Sequence, residues 1–108
     1  MPVTDRLHGT LDALVLKSLS AEPRHGFGIL RWIADRTDDF VQVEEGSLYP
    51  ALYRMERDGL LIAEWGFTDA GRRAKFYSIT AKGRRQLTAE TRELRAFIAA
   101  ITPVLLPA

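Results

Sequence analysis

The chain has 108 residues, is 46% hydrophobic and 27% charged, and carries a formal net charge of +1, which predicts one globular domain spanning 1–108 and excludes global disorder. It contains no cysteine, which excludes disulfides and thiolate metal sites, and no apolar run approaches the roughly 20 residues of a membrane helix. We therefore expect a cytoplasmic protein that binds no metal, no cofactor and no membrane.

Two helices are predicted at the start of the chain. Apolar residues recur at helical spacing in GTLDALVLKSLSAEP, where Thr10 is a candidate N-cap and Pro23 closes the segment. The same spacing returns in HGFGILRWIADRTDD, although the two early glycines leave the start of this helix undefined. A single short strand is predicted for FVQV, which follows.

A third helix is predicted in EGSLYPALYRMERDGL. Ser47 is its candidate N-cap, Pro50 fits the first turn, and Gly59 fits the stop. Its apolar stripe follows spacings of four and three and consists of Leu48, Leu52 and Met55. This stripe predicts the side of the helix that faces the core.

The other side of this helix carries polar-tipped and charged side chains. Successive residues lie about 100° apart on a helix, so Tyr49, Tyr53 and Arg57 point away from the stripe. The hydroxyls of Ser47 and Tyr49 can donate to phosphates, and Arg54 can reach a phosphate or a guanine edge. Arg57 has the same reach. The alternative is that the tyrosines cover the edge of the core and the arginines are solvated, but the combination favours DNA.

The sequence period then changes to that of a β-hairpin. Two strands are predicted at 60–67 and 74–79 around a Thr-Asp-Ala-Gly turn. Arg72, Arg73 and Lys75 place three bases in four positions near the tip, without a compensating acid. The alternative is a turn kept soluble by charge. The concentration of bases favours contacts with phosphate, each of which steepens the salt dependence of binding by about 0.9 in log–log slope.

A long final helix is predicted over 81–102, capped by Thr80 and ended by Pro103. A coiled-coil-like seam alternates spacings of four and three through Leu87, Thr91, Leu94, Ile98 and Ile101. Such a helix could pack on its own domain, yet the sustained pattern favours a partner helix and therefore a homodimer. In the hairpin, Trp65 and Phe76 are expected to pack on the third and fourth helices.

The order of these elements predicts a mainly α (α+β) fold. It is a winged helix-turn-helix with a two-stranded wing over 9–80, followed by a dimerisation helix over 81–102. One helix remains free to lie in a major groove about 12 Å wide. Catalysis finds little support, because His8 and His25 lack ligand spacing and Ser47 lacks an evident base.

The region of about 9–87 resembles the PadR family of bacterial winged-helix transcriptional repressors in the order and spacing of GTLDALVLKSLS, HGFGI, EGSLYPAL, EWG and KFYSITAKG. The resemblance implies a homodimeric regulator whose third helix enters the major groove and whose wing contacts the flanking backbone of double-stranded DNA. By position, it assigns to the recognition helix and the wing the residues Ser47, Tyr49, Pro50, Arg72, Arg73 and Lys75.

The resemblance also implies a small aromatic effector, because some family members release DNA when such a molecule binds near the dimer interface. Phe27 stands where tyrosine is frequent in the family, so a hydroxyl contact is lost there. The single helix after the wing leaves no separate effector domain.

The hypothesis that follows is a homodimeric repressor of a pseudo-palindromic operator, with Tyr49, Tyr53 and Arg54 in the groove. Two alternatives remain from other functional classes. One is a winged-helix module that binds protein, which an absent salt dependence of DNA binding would favour. The other is a small-molecule sensor with an apolar cleft between the terminal helices, walled by Phe97 and Trp32.

Overall fold

The computed structural model describes the backbone of residues 3–106 and the side chains of residues 10–106. In chain order the elements are α1 (Val3–Ser18), β1 (Arg24–His25), α2 (Gly26–Arg36), α3 (Glu45–Arg57), β2 (Leu61–Phe67), β3 (Arg73–Ile79) and α4 (Ala81–Leu105). The strands form an antiparallel sheet in the order β1-β3-β2. This architecture confirms the predicted α+β winged helix. The side chain of His8 lies outside the described residues.

The core lies where α1, α2 and α3 meet the base of the hairpin. Its buried side chains are Val15, Leu16, Leu19, Ile29, Ile33, Leu48, Ala51, Leu52, Met55, Leu60, Leu61 and Tyr77. The stripe of α3 is confirmed, since Leu48, Leu52 and Met55 are 0% exposed. Burying each such side chain contributes about 1.5–3 kcal/mol, so this stripe fixes which side of α3 remains at the surface.

His25 defines the start of α2, which the sequence left open. Its Nδ1 accepts a hydrogen bond from the backbone N–H of Gly28 at 3.2 Å, so the imidazole is the N-cap of the helix. The backbone of His25 belongs to β1 and pairs with Phe76 of β3, and the two rings meet edge to face. His25 therefore has a structural role, as the N-cap of α2 and as a partner of β3.

The strand predicted for FVQV is wrong. The segment is an irregular loop between α2 and α3, in which Phe40 is 90% exposed. The backbone N–H of Val41 donates to Oγ1 of Thr37 at 3.0 Å, which ties the loop to the end of α2. A strand needs a neighbour to satisfy its backbone, and the free edge of β3 is taken by β1 instead.

The predicted starts of α1 and α3 are also wrong. Thr10 lies inside α1, and Ser47 is the third residue of α3, whose N-cap is Glu44. The N–H groups of Ser47 and Leu48 both donate to the Glu44 carbonyl at 3.0 Å, which closes the first turn without a side-chain cap. Pro50 consequently lies in the second turn of α3 rather than in the first.

The start of α4 was predicted correctly, but its end was not. Oγ1 of Thr80 accepts from the backbone N–H of Gly83 at 2.9 Å, so Thr80 is the N-cap. Pro103 does not end the helix, which continues to Leu105. A proline removes one backbone donor, and the helix continues beyond it with the Leu106 N–H donating to the Thr102 carbonyl at 2.8 Å.

The first turn of α4 lies directly on the start of β2. A Cβ at Gly83 would collide with the backbone carbonyl oxygen of Leu60 and lie 2.8 Å from Cγ1 of Ile79. A glycine is therefore required at this crossing. The helix that starts at this contact has 25 residues and is therefore about 38 Å long.

The hairpin extends beyond the core. β2 and β3 pair from Leu61 opposite Ile79 to Phe67 opposite Arg73. Trp65 is 60% exposed, so the expectation that it packs on the helices is wrong. No helix within residues 3–106 is long and apolar enough to cross a membrane.

Candidate nucleic-acid interface

The exposed side of α3 presents a polar stripe. Counting 100° per residue from the buried positions, the face opposite the core is formed by Gly46, Pro50, Tyr53 and Arg57. Tyr53 is 71% exposed, and the side chain of Arg57 is 60% exposed. These two side chains therefore point into solvent, as their spacing predicts. Ser47 and Pro50 are exposed too and line a shallow groove that α3 forms with α1.

Tyr49 lies on the side of α3 that faces α2 and the wing. Its ring covers the start of α2, where a Cβ at Gly26 would lie only 2.6 Å from the Tyr49 hydroxyl oxygen. The absence of a side chain at Gly26 thus makes room for the ring. Together with Phe27, Arg72 and other residues, Tyr49 lines a cleft of about 670 Å³ between α2, α3 and the hairpin.

Arg54 is held by a carboxylate of another helix. Its Nη1 and Nη2 atoms donate to the two carboxylate oxygens of Asp12 at 2.9 and 2.8 Å. The hydrogen bond to Asp12 is the main cause that raises the pKa of Arg54 above its ordinary value. The guanidinium predicted to reach DNA therefore joins α3 to α1.

Arg57 and Lys75 also have carboxylate partners. Nε of Arg57 lies 3.0 Å from Oδ1 of Asp58, and this hydrogen bond lowers the pKa of the exposed Asp58 carboxyl. Nζ of Lys75 donates to Oε1 of Glu56 at 3.1 Å, which raises the pKa of the lysine and connects β3 with α3. The Arg57–Asp58 pair is exposed and the Lys75–Glu56 pair is partly exposed, so water screens both and each contributes little to stability.

The wing tip presents cations of a different kind. Gly71 has φ +81°, a left-handed conformation that favours glycine, and it turns the chain into β3. Arg72 follows it and has no carboxylate partner within residues 10–106. The guanidinium of Arg73 lies 4.5 Å from the ring centroid of Trp65, a cation–π contact that leaves the positive charge unneutralised.

The other end of α3 is acidic. Glu44 and Glu45 are exposed and form no ion pair within residues 10–106. The α2–α3 loop adds Asp38 and Asp39, both in left-handed conformations. A phosphate at the start of α3 would meet this negative charge. The potential therefore favours an anion near the wing and the C-terminal half of α3.

The predicted dimerisation seam divides into two halves. Leu87, Thr91 and Leu94 line a groove of about 740 Å³ with α1, so this half faces another helix of its own chain across the groove. Further along, Ile98 is 50% exposed and Ile101 is partly exposed. Large apolar side chains continue beyond the seam at Val104, Leu105 and Leu106, which are 76%, 68% and 74% exposed.

Two residues expected to wall a small-molecule cleft lie elsewhere. Neither Phe97 nor Trp32 lines the groove between α1 and α4. The guanidinium groups of Arg24 and Arg36 instead lie 5.8 and 4.9 Å from the centroid of the Trp32 ring. Within residues 10–106, His, Asp and Glu form no group that could hold a metal ion.

The carboxylate partners of the basic residues were not predicted from the sequence. Asp58 adjoins Arg57 in the chain and could have been paired with it from adjacency alone. Asp12 lies 42 residues from Arg54, and no local spacing predicts that contact. The structure therefore separates paired cations on α3 from unpaired cations at the wing tip.

Comparison with known proteins gives a consistent result. The model of the transcriptional regulator PadR-like family matches residues 15–89. The transcriptional regulator Rv3488 of Mycobacterium tuberculosis is 45% identical over 53 residues, which are 49% of each chain.

Solved structures with the same fold cover nearly the whole chain. A transcriptional regulator from Clostridium thermocellum superposes with a TM-score of 0.84 at 25% identity, over 94% of this chain and 98% of its own. A PadR-like transcriptional regulator from Bacillus cereus superposes with a TM-score of 0.77 at 27% identity, over 94% and 97%.

Proposed function

Because this chain belongs to the PadR-like family of transcriptional regulators, we propose that it represses transcription by binding a pseudo-palindromic operator as a homodimer. The observation that carries the proposal is the pair of unneutralised arginines at the wing tip, Arg72 and Arg73, beside the exposed polar face of α3. We place the protein in the cytoplasm, where it has access to chromosomal DNA.

α3 is the recognition helix in this proposal. An α-helix with its side chains is about 10–12 Å across and fits a major groove about 12 Å wide. Tyr53 and Arg57 lie on the stripe opposite the core and enter the groove. The Tyr49 hydroxyl, beside the wing, donates to the flanking backbone. Ser47 and Pro50 lie closer to α1 and contact the edge of the groove.

The wing supplies the part of the affinity that does not depend on sequence. Arg72 and Arg73 contact phosphates of the flanking backbone, and Lys75 adds positive charge behind them. Each phosphate that is neutralised adds about 0.9 to the slope of log affinity against log salt. Binding to DNA is accordingly expected to weaken steeply as salt is added.

The exposed half of α4 forms the dimer. Ile98, Val104, Leu105 and Leu106 place a row of apolar side chains in solvent, and a second copy would remove them from water. A two-fold dimer presents two copies of α3 to half-sites about 34–36 Å apart, which matches one helical turn of DNA.

A second candidate function is regulation by a small aromatic anion. The groove between α1 and α4 has an apolar floor that includes Leu14, Leu87 and Leu94, and it carries Lys17 and Arg95 at its rim. Its volume of about 740 Å³ falls within the range of about 300–1,000 Å³ typical of small-molecule sites. Release of operator DNA on titration with benzoate-type acids would support this function.

The experiment that tests the main proposal combines two measurements. Gel filtration with light scattering gives the oligomeric state, and a mobility shift uses the DNA immediately upstream of the protein's own gene at several salt concentrations. We expect a dimer that shifts this fragment in preference to a scrambled fragment. A monomer, or equal affinity for both fragments, would refute the operator model. If the chain instead binds a protein and shows no salt-dependent binding to DNA, the alternative of a winged-helix module that binds protein is favoured.

A further inference from the structure

An ion pair joins α3 to α1 through Arg54, one of the arginines that the sequence assigns to DNA. Both terminal nitrogens of Arg54 donate to the carboxylate of Asp12, at 2.9 and 2.8 Å. A bidentate pair of this kind fixes the orientation of both side chains. The Asp12 side chain is 16% exposed and that of Arg54 is 41% exposed, so the acid is the more deeply held partner.

The position of Arg54 on α3 separates it from the groove-facing stripe. Tyr53 and Arg57 lie opposite the core, whereas Arg54 is rotated toward α1, on the same side as Ser47. To bond a base or a phosphate, the guanidinium would have to leave Asp12. That move would leave a largely buried carboxylate without its partner, which is unfavourable.

Asp12 belongs to the part of the molecule that carries the α1–α4 groove. Its neighbours in α1, Thr10, Ala13 and Leu14, line that groove opposite Leu87 and Leu94 of α4. The ion pair therefore connects the helix that would read DNA with α1, which in turn faces the helix that would form the dimer.

We propose that Arg54 is a positioning residue that contacts neither base nor phosphate. Its pair with Asp12 fixes α3 relative to α1 and α4, and in this way sets the separation of the two recognition helices in the dimer. This inference rests on the proposed function, because it concerns the geometry of operator binding.

A double-mutant cycle on operator affinity tests the proposal. The variants are Asp12→Asn, Arg54→Gln and the double variant, assayed well below their unfolding temperatures as full-length protein. We expect each single variant to bind the operator about tenfold more weakly, the double variant to be no worse, and the salt slope to stay unchanged. A pair that only stabilised the fold would leave the affinity of the folded variants intact, and that result would overturn the proposal.

The opposite pattern would assign Arg54 to DNA. If Arg54→Gln lowers the salt slope by about 0.9 while Asp12→Asn binds as tightly as wild type or more tightly, then Arg54 contacts a phosphate and the proposal is wrong. Arg57→Gln is the matched control, since it removes the same charge from the groove-facing stripe and is expected to lower the slope.

A charge reversal gives a sharper test. The variant Asp12→Arg/Arg54→Asp rebuilds the pair in the opposite direction, and we expect it to recover operator affinity to within about threefold of wild type. A carboxylate at position 54 that faced DNA would instead abolish binding, provided that circular dichroism shows a folded protein.

Operators with the half-site spacing changed by one base pair add a readout of geometry. The single variants are expected to lose the preference for the native spacing, and the reversed pair is expected to regain it; an unchanged preference in the single variants would overturn the proposal. Absence of specific binding by the wild-type protein would refute the proposed function itself. Normal wild-type binding without coupling between the two positions would refute only the role of Arg54.

Discussion

The cations of α3 and those of the wing tip are the same kind of residue in two electrostatic situations. Arg54 and Arg57 each bond a carboxylate, whereas Arg72 and Arg73 lie beside a glycine turn and an indole ring. A paired arginine has to exchange one partner for another in order to bind phosphate, so its net gain is smaller. The number of basic residues in the sequence therefore overestimates the positive charge that is available to DNA, because some of these residues are already paired with acids.

The largest effect is expected from removing the unpaired cations. Arg72→Ala/Arg73→Ala should weaken operator binding by at least about 100-fold, because hydrogen bonds to charged groups contribute about 1.5–3 kcal/mol each. The salt slope should fall by about 1.8. Fluorescence anisotropy over a range of salt concentrations measures both quantities. The control is Arg36→Ala/Arg85→Ala, which removes equal charge from α2 and α4. An equal loss of operator affinity in this variant would show that the arginines at the wing tip have no special role.

A smaller effect is expected from removing the ring beneath Arg73. Trp65→Ala should weaken operator binding by about threefold to fivefold, because a cation–π contact at an exposed site contributes about 0.5–1 kcal/mol to holding the guanidinium in place. Ile62→Ala is the matched control, since it removes an exposed apolar side chain from the same strand at a position that pairs with Ser78. Identical binding by the Trp65 variant and wild type would mean that Arg73 does not need the ring.

Releasing an α3 cation from its acid should have an effect of opposite sign. Asp58→Asn removes the partner of Arg57 and should tighten operator binding by about threefold, the scale of one exposed ion pair. Asp69→Asn makes the same change of net charge at the wing turn. If both variants tighten binding equally, the gain comes from net charge, and pairing does not restrain Arg57.

The smallest effect concerns the anchoring of the wing in the core. Burial is the main cause that raises the pKa of Tyr77 above its ordinary value of 10.0, against the effect of Lys75. The unfolded chain therefore ionises first, so the contribution of the neutral phenol to stability is complete below that value and is lost as the pH rises through the folded pKa.

Tyr77→Phe should consequently flatten the loss of stability above about pH 10. Urea unfolding at several pH values measures the free energy of unfolding, and the exposed Tyr53→Phe serves as the control. A wild-type alkaline slope that persists in the Tyr77 variant would show that another group titrates.

Patterns contained in one stretch of sequence predicted much of this fold. The stripe of α3 follows from a helical period, the Thr80 cap from a hydroxyl before a helical run, and the hairpin from its turn glycine. Each of these signals extends over only a few residues, so it can be identified in the local sequence. The family resemblance added an expected role for α3 and for the wing in binding DNA, which periodicity alone does not contain.

Features that depend on distant neighbours were missed. β1 is only two residues long, and it exists because β3 offers a free edge to pair with. Trp65 shares a face of the hairpin with Ala63 and Tyr77, but alternation gives the face of a strand and not how far the core reaches along it. The contact between Asp12 and Arg54 forms because α1 lies next to α3 in the fold. No short stretch of sequence contains both residues.

The central place of β3 in the sheet has a mechanical consequence for the tip of the hairpin. β1 pairs with β3 only as far as Phe76. Arg73 therefore lies three residues, or about 10 Å, beyond the last residue of β3 that has a neighbouring strand on both sides. The number of hairpin residues beyond Phe76 therefore determines how far the tip extends from the core. Inserting one residue into each strand would move the tip outward by about 3.3 Å but would turn Arg73 to the opposite face of the sheet, whereas two residues would keep the face and move the tip by about 6.6 Å. In the proposed complex, the length of the hairpin therefore sets how far Arg72 and Arg73 reach, with α3 left unchanged.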